Sequence, residues 1–371
     1  MNYFQHRWDS VVFCYFCAMK KVLCYPSNNR ASGAYRITEP YRVMPGKIAF
    51  DIEDGGVLDM DLALTYDAVV FQLVSDSGLT GFIDEFQDKG GRVVYEIDDD
   101  LFHMQVDNPA AEFYDGPRLK IVRDIMGSCD AVHTTTPALA KSLATQWPVT
   151  SFFAMTRPQI MVFPNAIDLN KYQSPEEVRL HMREYLGFSE DDVVVMWAGS
   201  PHHVKDIGLI MGVEKILKDE SHIKFLFISN KFWLGTGGIK DCENVKVLDW
   251  VPFGEFHLYQ SAADISLAPL AQSRYNDSVS ELKCIEAAAW GIPTICSHIG
   301  PYTRFTGVSG DAILIGAESV AAWAATIKWL AQNPGKRKTI GSRARQQVVH
   351  GMHNLDNVNQ LRLSWWKKFL G

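Results

Sequence analysis

The sequence predicts an α/β chain of two doubly wound domains facing a central cleft, with a C-terminal helix packing back on the first domain. Three observations predict it. Apolar runs of strand length alternate with amphipathic stretches of helix length, the pattern of a mostly parallel sheet covered on both faces. The runs fall into two successive sets of five, separated by the polar, helix-forming stretch 174–188. A chain of 371 residues exceeds one ordinary core but suits two domains of ~150–180 residues each.

Taken in order, residues 1–18 are expected to be an N-terminal extension. Their apolar run 11–18 is eight residues, against the ~20 that a membrane-spanning helix needs. The first domain is placed at 19–175, with strands KVLCYP (21–26), AVVFQLV (68–74), RVVYEID (92–98), AVHTTT (131–136) and IMVFPN (160–165). The second, 176–353, carries VVVMWAG (193–199), KFLFIS (224–229), VKVLDWV (245–251), ISLAPL (265–270) and PTICS (293–297). Residues 354–371 read as the final amphipathic helix, with Leu361, Trp365 and Phe369 at helical spacing. In doubly wound sheets ligands bind outside the carboxyl ends of the strands, so the cleft is the expected site.

The composition, 47% hydrophobic and 21% charged, is that of an ordinary folded protein. A net charge of -7 argues against coating nucleic acid by charge neutralisation. Seven scattered cysteines lack the paired spacing of a zinc site or a disulfide framework, the one close pair being Cys14 and Cys17. The reading is a reduced, cytoplasmic protein. The basic charges of the last helix are too few for more than peripheral contact with a membrane.

The most informative segment is NDSVSELKCIEAAAWGIPTICS, Asn276 to Ser297. A polar loop leads into a helix that Gly291 and Pro293 stop before the next strand. A helix starting near Ser280 offers backbone N–H groups and the positive end of its dipole to the cleft, which suits a diphosphate. Deeper on that helix, Glu286 is placed to accept hydrogen bonds from ribose hydroxyls; a salt-bridged helix face is the plain alternative.

Here the sequence resembles the GT-B glycosyltransferases of family four, built of two Rossmann-like domains. Their second domain carries a Glu, seven residues, Glu pattern followed by a small-residue helix and G-x-P. Glu286 in EAAAWGIPTIC matches the second Glu, Ser278 stands at the position of the first, and SELK replaces the usual glycine-containing loop. The resemblance implies donor contacts from Ser278, Ser280, the amides of Glu281 and Leu282, and Glu286. In WAGSPHHVKDI (197–207) Lys205 fits the lysine that neutralises the donor diphosphate, with Ser200 in the region where an arginine is common. In VLDWVPFGEFHLYQSAADISLAPL (247–270) the main chain of Val251 corresponds to the contact with the base.

In the first half, SNNRASGAYR (27–36) matches the family's glycine-containing loop, with Gly33 allowing close approach to a phosphate or sugar and Arg30 and Arg36 available to an acceptor. In VVYEIDDDLF (93–102) Asp98 replaces the histidine that approaches the donor sugar, so Asp98 or Asp99 would bond sugar or acceptor hydroxyls. DAVHTTTPALAKSL (130–143) and VFPNAID (162–168) extend the likeness over most of the chain from about residue 20. Three consecutive acids invite a metal, yet neighbouring His202 and His203 would point apart in a loop and the resemblance is to a metal-independent family, so no metal ligand is expected.

The resemblance implies a retaining glycosyltransferase with Asp98, Lys205 and Glu286 as catalytic residues. The co-substrate is a nucleoside-diphosphate sugar, UDP-sugar favoured, with no other cofactor. The acceptor hydroxyl is expected on a glycan, lipid-linked or small molecule rather than a nucleic acid. Two alternatives stay open: a sugar-nucleotide epimerase of the same fold, and a non-catalytic nucleotide-sugar-binding module, the latter motivated by Ser278 and Asp98.

Overall fold

Runs of Val, Ile, Leu and Phe that are apolar at every position form strands buried on both faces. The computed structural model describes residues 19–53, 59–106, 108–147, 158–173, 175–306, 312–316 and 319–371; the proposed extension 1–18 lies outside them. The first sheet comprises β1 (Lys20–Tyr25), β2 (Ile48–Ile52), β3 (Ala68–Gln72), β4 (Arg92–Glu96), β5 (Ala131–Thr134) and β6 (Gln159–Val162), in the order β2-β1-β3-β4-β5-β6. The second comprises β7 (Val193–Ala198), β8 (Ile223–Ile228), β9 (Val245–Leu248), β10 (Ile265–Ala268), β11 (Thr294–Ser297) and β12 (Ile313–Ile315), in the order β12-β11-β10-β7-β8-β9. Neighbouring strands pair in parallel.

The predicted α/β class and two-sheet architecture are observed, with two strands more than the sequence suggested. The edge strand β2 is only partly buried and carries Asp51, and β12 is three residues long. Neither has the long apolar run that identifies a central strand.

The helices that cover the sheets and frame the site are α1 (Leu79–Asp88), α2 (Gly116–Ser128), α3 (Pro137–Ala144), α4 (Pro175–Leu186), α5 (Phe253–Ser261), α6 (Arg274–Ser278), α7 (Leu282–Ala289), α8 (Val320–Gln332), α9 (Pro334–His350) and α10 (Leu355–Leu370). Alternation along the strands divides each sheet into two cores. Leu23, Val69, Val93, Tyr95 and Val132 face α1 and α2, while Val22, Cys24, Val70, Val94 and Ala131 face α10.

Helix α10 thus packs back on the first domain, as expected. Its buried face is set by Leu355, Val358, Trp365 and Trp366, with Phe369 stacked on Trp365. Leu361, placed on the apolar stripe by spacing alone, is 50% exposed. The stripe is one position out of phase there, because the paired tryptophans turn toward His133 and Phe163.

The chain crosses between domains twice, and the crossings lie side by side. Ile167 N donates to His353 O and Leu355 N to Ile167 O, each at 3.0 Å. Strand order reverses between β1 and β3 in the first sheet and between β7 and β10 in the second. The loops leaving β1 and β3 flank the first switch point and those leaving β7 and β10 the second, where such sheets bind ligands; β4 lies one strand beyond β3.

Candidate active site at the domain seam

The loop after β1 is tied down before any ligand is considered. Gln72, at the end of β3, accepts from Ser27 N at 3.0 Å and donates to Ser32 Oγ at 2.9 Å, and Ser32 in turn donates to Asp98 Oδ2 at 2.6 Å. Gly33 is required by this local fold: a Cβ there would lie 1.7 Å from the Asn28 carbonyl oxygen. The close approach anticipated for a phosphate or sugar is thus made by the chain itself. Arg30, in the same loop, is exposed.

Arg36 departs from its expected place as an acceptor contact. It sits in a π-helical turn over 34–38 and is 1% exposed. Its guanidinium donates to Glu96 at 2.8 Å, to the Phe163 carbonyl at 2.7 Å and to Asn165 Oδ1 at 3.0 Å. A guanidinium carries five donors in a rigid fork, and here buried acceptors take them up.

In the second domain, Asp206 anchors the loop after β7. It pairs with His203 at 2.7 Å and accepts from Ala271 N at 2.8 Å and Asn276 Nδ2 at 3.1 Å, joining the ends of β7 and β10. Lys205 beside it is exposed, and Ser200 and Val251 are partly buried. Helix α7 starts at the seam with Glu281 in its N-cap position and no side chain capping the first turn. The Glu281 carboxylate turns instead to His353, at 3.3 Å, and Arg304, at 3.9 Å. The amides of Leu282 and Lys283 therefore occupy the uncapped end of a helix whose dipole favours an anion.

The two halves meet through paired polar groups. Tyr35 Oη donates to Glu286 Oε1 at 2.6 Å, and Asn165 Nδ2 to Ser280 Oγ at 2.8 Å. Thr136 Oγ1 donates to the Ser278 carbonyl at 2.7 Å, and Gln105 Nε2 to Ser273 Oγ at 2.6 Å. The Asp99 carboxyl faces the Tyr275 hydroxyl. Asp100 accepts from Ser142 at 2.6 Å and lies 2.9 Å from His103 Nδ1. The three consecutive acids thus go to three different partners. Among the described residues no group of three His, Cys, Asp or Glu side chains converges as a metal site.

Burial sets the electrostatics. It raises Glu286 to about 7, against the Tyr35 hydrogen bond and the Lys283 charge, with Glu39 adding to the rise. Burial likewise raises Asp99 to about 7, helped by Asp98 and Asp100 and opposed by Tyr275. Lys283, one turn before Glu286, is lowered by burial and held up by Glu286 and Asp206. Groups poised near neutrality in a cleft are what proton handling and anion binding need.

The structure brings Asp98, Asp99, Ser278, Ser280, Glu281, Leu282 and Glu286 to one seam, with Ser200 and Lys205 after the neighbouring β7 and Val251 after the edge strand β9. Arg36 lies beneath that seam. Three residues that the sequence reading did not single out also stand there, Tyr35, Asn165 and Tyr275, together with Lys283 of the SELK segment. Only Lys283 carried a usable signal, its spacing of three from Glu286 on a helix. The others arrive by tertiary packing.

Residues 192–333 match the sequence model of the family Glycosyl transferases group 1. No curated protein matches the sequence. Among solved structures, HepE of Anabaena, in complex with UDP and glucose, superposes with a TM-score of 0.67 at 13% identity, over 94% of this chain and 99% of that one. Sucrose-phosphate synthase of Thermosynechococcus elongatus gives 0.66 at 14% identity, over 94% and 99%. WaaG, a glycosyltransferase involved in lipopolysaccharide biosynthesis, gives 0.61 at 12% identity, over 92% and 99%. These likenesses establish the GT-B architecture.

Proposed function

We propose that this chain, whose residues 192–333 match the glycosyl transferases group 1 model, moves a sugar from a nucleoside-diphosphate sugar to an acceptor hydroxyl with retention of configuration and without a metal. The observation that carries the reading is the grouping of Glu286, Lys283 and the uncapped start of α7 at the second sheet's switch point, opposite Asp98 and Asp99 after β4 of the first. A carboxylate for ribose, a cation and a helix N-terminus for diphosphate are what a nucleotide donor requires.

UDP is the favoured nucleotide, and the Anabaena HepE structures with UDP and with UDP-glucose support that choice. Leaving-group charge would be met by Lys205, Lys283 and the amides of Leu282 and Lys283, an electrostatic contribution placed where charge develops. The leaving phosphate would assist in taking the acceptor's proton on the same face. Asp98 and Asp99 would orient sugar or acceptor hydroxyls. Metal independence is supported by the separate engagement of Asp98, Asp99 and Asp100. No described helix is long and apolar enough to cross a membrane, and the free thiols of Cys24, Cys129, Cys242, Cys284 and Cys296 support a reducing, cytoplasmic setting.

Ser278, where the family has its first Glu, favours a second reading, a nucleotide-sugar-binding module without transfer. Thermal stability in a panel of uridine, guanosine and adenosine diphosphate sugars tests the donor site. One donor should raise Tm by mass action in the wild type and not in Glu286→Ala; no response from any donor would sink the proposal. Donor binding without release of nucleoside diphosphate, with or without acceptors, would leave the module.

A further inference from the structure

The group expected to take a donor ribose is already satisfied by the protein. Glu286 is 7% exposed and Tyr35 6%. The Tyr35 hydroxyl donates to Glu286 Oε1 at 2.6 Å, the geometry of a sugar hydroxyl on a carboxylate. Although Tyr35 belongs to the first domain, its ring packs in a core cluster of the second, with Ile285 and Ala288, and lies edge-on to Phe253 at 5.0 Å. The recess beside it, lined by Tyr35, Tyr172, Phe253 and His257, has a volume of about 10 Å³. That is room for a single water, and a nucleoside does not fit.

A second pair repeats the arrangement. The Tyr275 hydroxyl of the second domain faces the Asp99 carboxyl of the first. The seam thus holds two tyrosine–carboxyl contacts running in opposite directions, flanked by Thr136 on the Ser278 carbonyl and Asn165 on Ser280. Every one of them closes on α6, α7 or the link between them.

We propose that Tyr35 is an internal stand-in for the donor ribose hydroxyl, a gate that keeps the cleft shut over α7 and that the donor displaces on entry. This rests on the reading of Glu286 as the ribose carboxylate. Because Glu286 and Tyr35 are both closed to solvent, ribose cannot reach the carboxylate beside the phenol. The helical segment 31–42 and α7 must separate first. Donor affinity is then reduced by the fraction of molecules that stay shut.

The test is Tyr35→Phe, which keeps the ring and its contact with Phe253 and removes the one hydroxyl. Tyr66→Phe, which removes a surface hydroxyl bonded to Asp51, is the control. Amide exchange over 274–289 in the ligand-free protein should be faster in Tyr35→Phe than in wild type or control. Calorimetric titration with UDP should give a Kd roughly two- to tenfold lower, the range set by losing one hydrogen bond from the shut form.

Unchanged exchange together with unchanged or weaker UDP binding in Tyr35→Phe overturns the gate and leaves the donor site standing. Weaker binding alone would mean that Tyr35 touches the nucleotide, and it also overturns the gate. If neither protein binds UDP or any other nucleoside diphosphate, the donor reading fails, and the stand-in role falls with it.

Discussion

Arg36 donates to Glu96 at 2.8 Å with both side chains closed to solvent, and the same guanidinium holds Asn165, which reaches across the seam to Ser280. An ion pair inside the first domain therefore fixes a residue that meets the start of α7. Removing one member of a buried pair leaves the other charge uncompensated. Arg36→Met should cost about 3–5 kcal/mol in denaturant unfolding. A loss below about 1 kcal/mol, the value of a surface pair, would show that Glu96 is not dependent on Arg36.

The pH dependence of stability follows from Glu286 and Asp99. Burial raises each to about 7 in the folded protein, from 4.5 and 3.8. Between those limits the folded state holds more protons than the unfolded, so stability falls as pH rises from about 4 to about 7 and then levels. The groups facing Glu286 are Tyr35, Lys283 and Glu39; those facing Asp99 are Asp98, Asp100 and Tyr275. Glu286→Gln should flatten part of the slope in Tm against pH. A wild-type profile that is flat or rises through this window contradicts the assignment.

Lys283→Met tests the cation beside Glu286. Its stem stays apolar in a partly buried position, so the fold should hold while a charge-assisted contact to the diphosphate is lost. UDP affinity should drop about tenfold, equivalent to ~1.4 kcal/mol. Equal affinity in calorimetric titration would remove Lys283 from the site.

Gly33→Ala separates a ligand role from a folding role. The added Cβ would meet the Asn28 carbonyl oxygen at 1.7 Å, and relief requires a shift of the loop after β1. A cost of about 1–3 kcal/mol is expected, read as a lower Tm without any ligand present. An unchanged Tm with weakened donor binding would restore the glycine to a direct role at the donor.

The legibility of these features in the sequence follows their physics. Central strands such as Val193–Ala198 were readable because burial on both faces demands an unbroken apolar run. The edge strand Ile48–Ile52, half exposed and interrupted by Asp51, was not. Glu286 was readable because its neighbours, EAAAWGIP, form a local pattern. Arg36 misled because a loop arginine and a buried one look alike until Glu96 and Asn165 arrive from 60 and 129 residues away. Tyr35 and Tyr275 carry no local signal, since each depends on a carboxyl group of the opposite domain.

The central claim is that the seam turns over a nucleoside-diphosphate sugar. Its most direct measurement is release of free nucleoside diphosphate from a panel of such sugars by the wild type, beside Glu286→Ala and Lys205→Ala. The account predicts slow release from one donor, UDP-sugar first, accelerated by a suitable acceptor and lost in Glu286→Ala. Release that persists undiminished in Glu286→Ala, or no release from any donor under any acceptor, would contradict it.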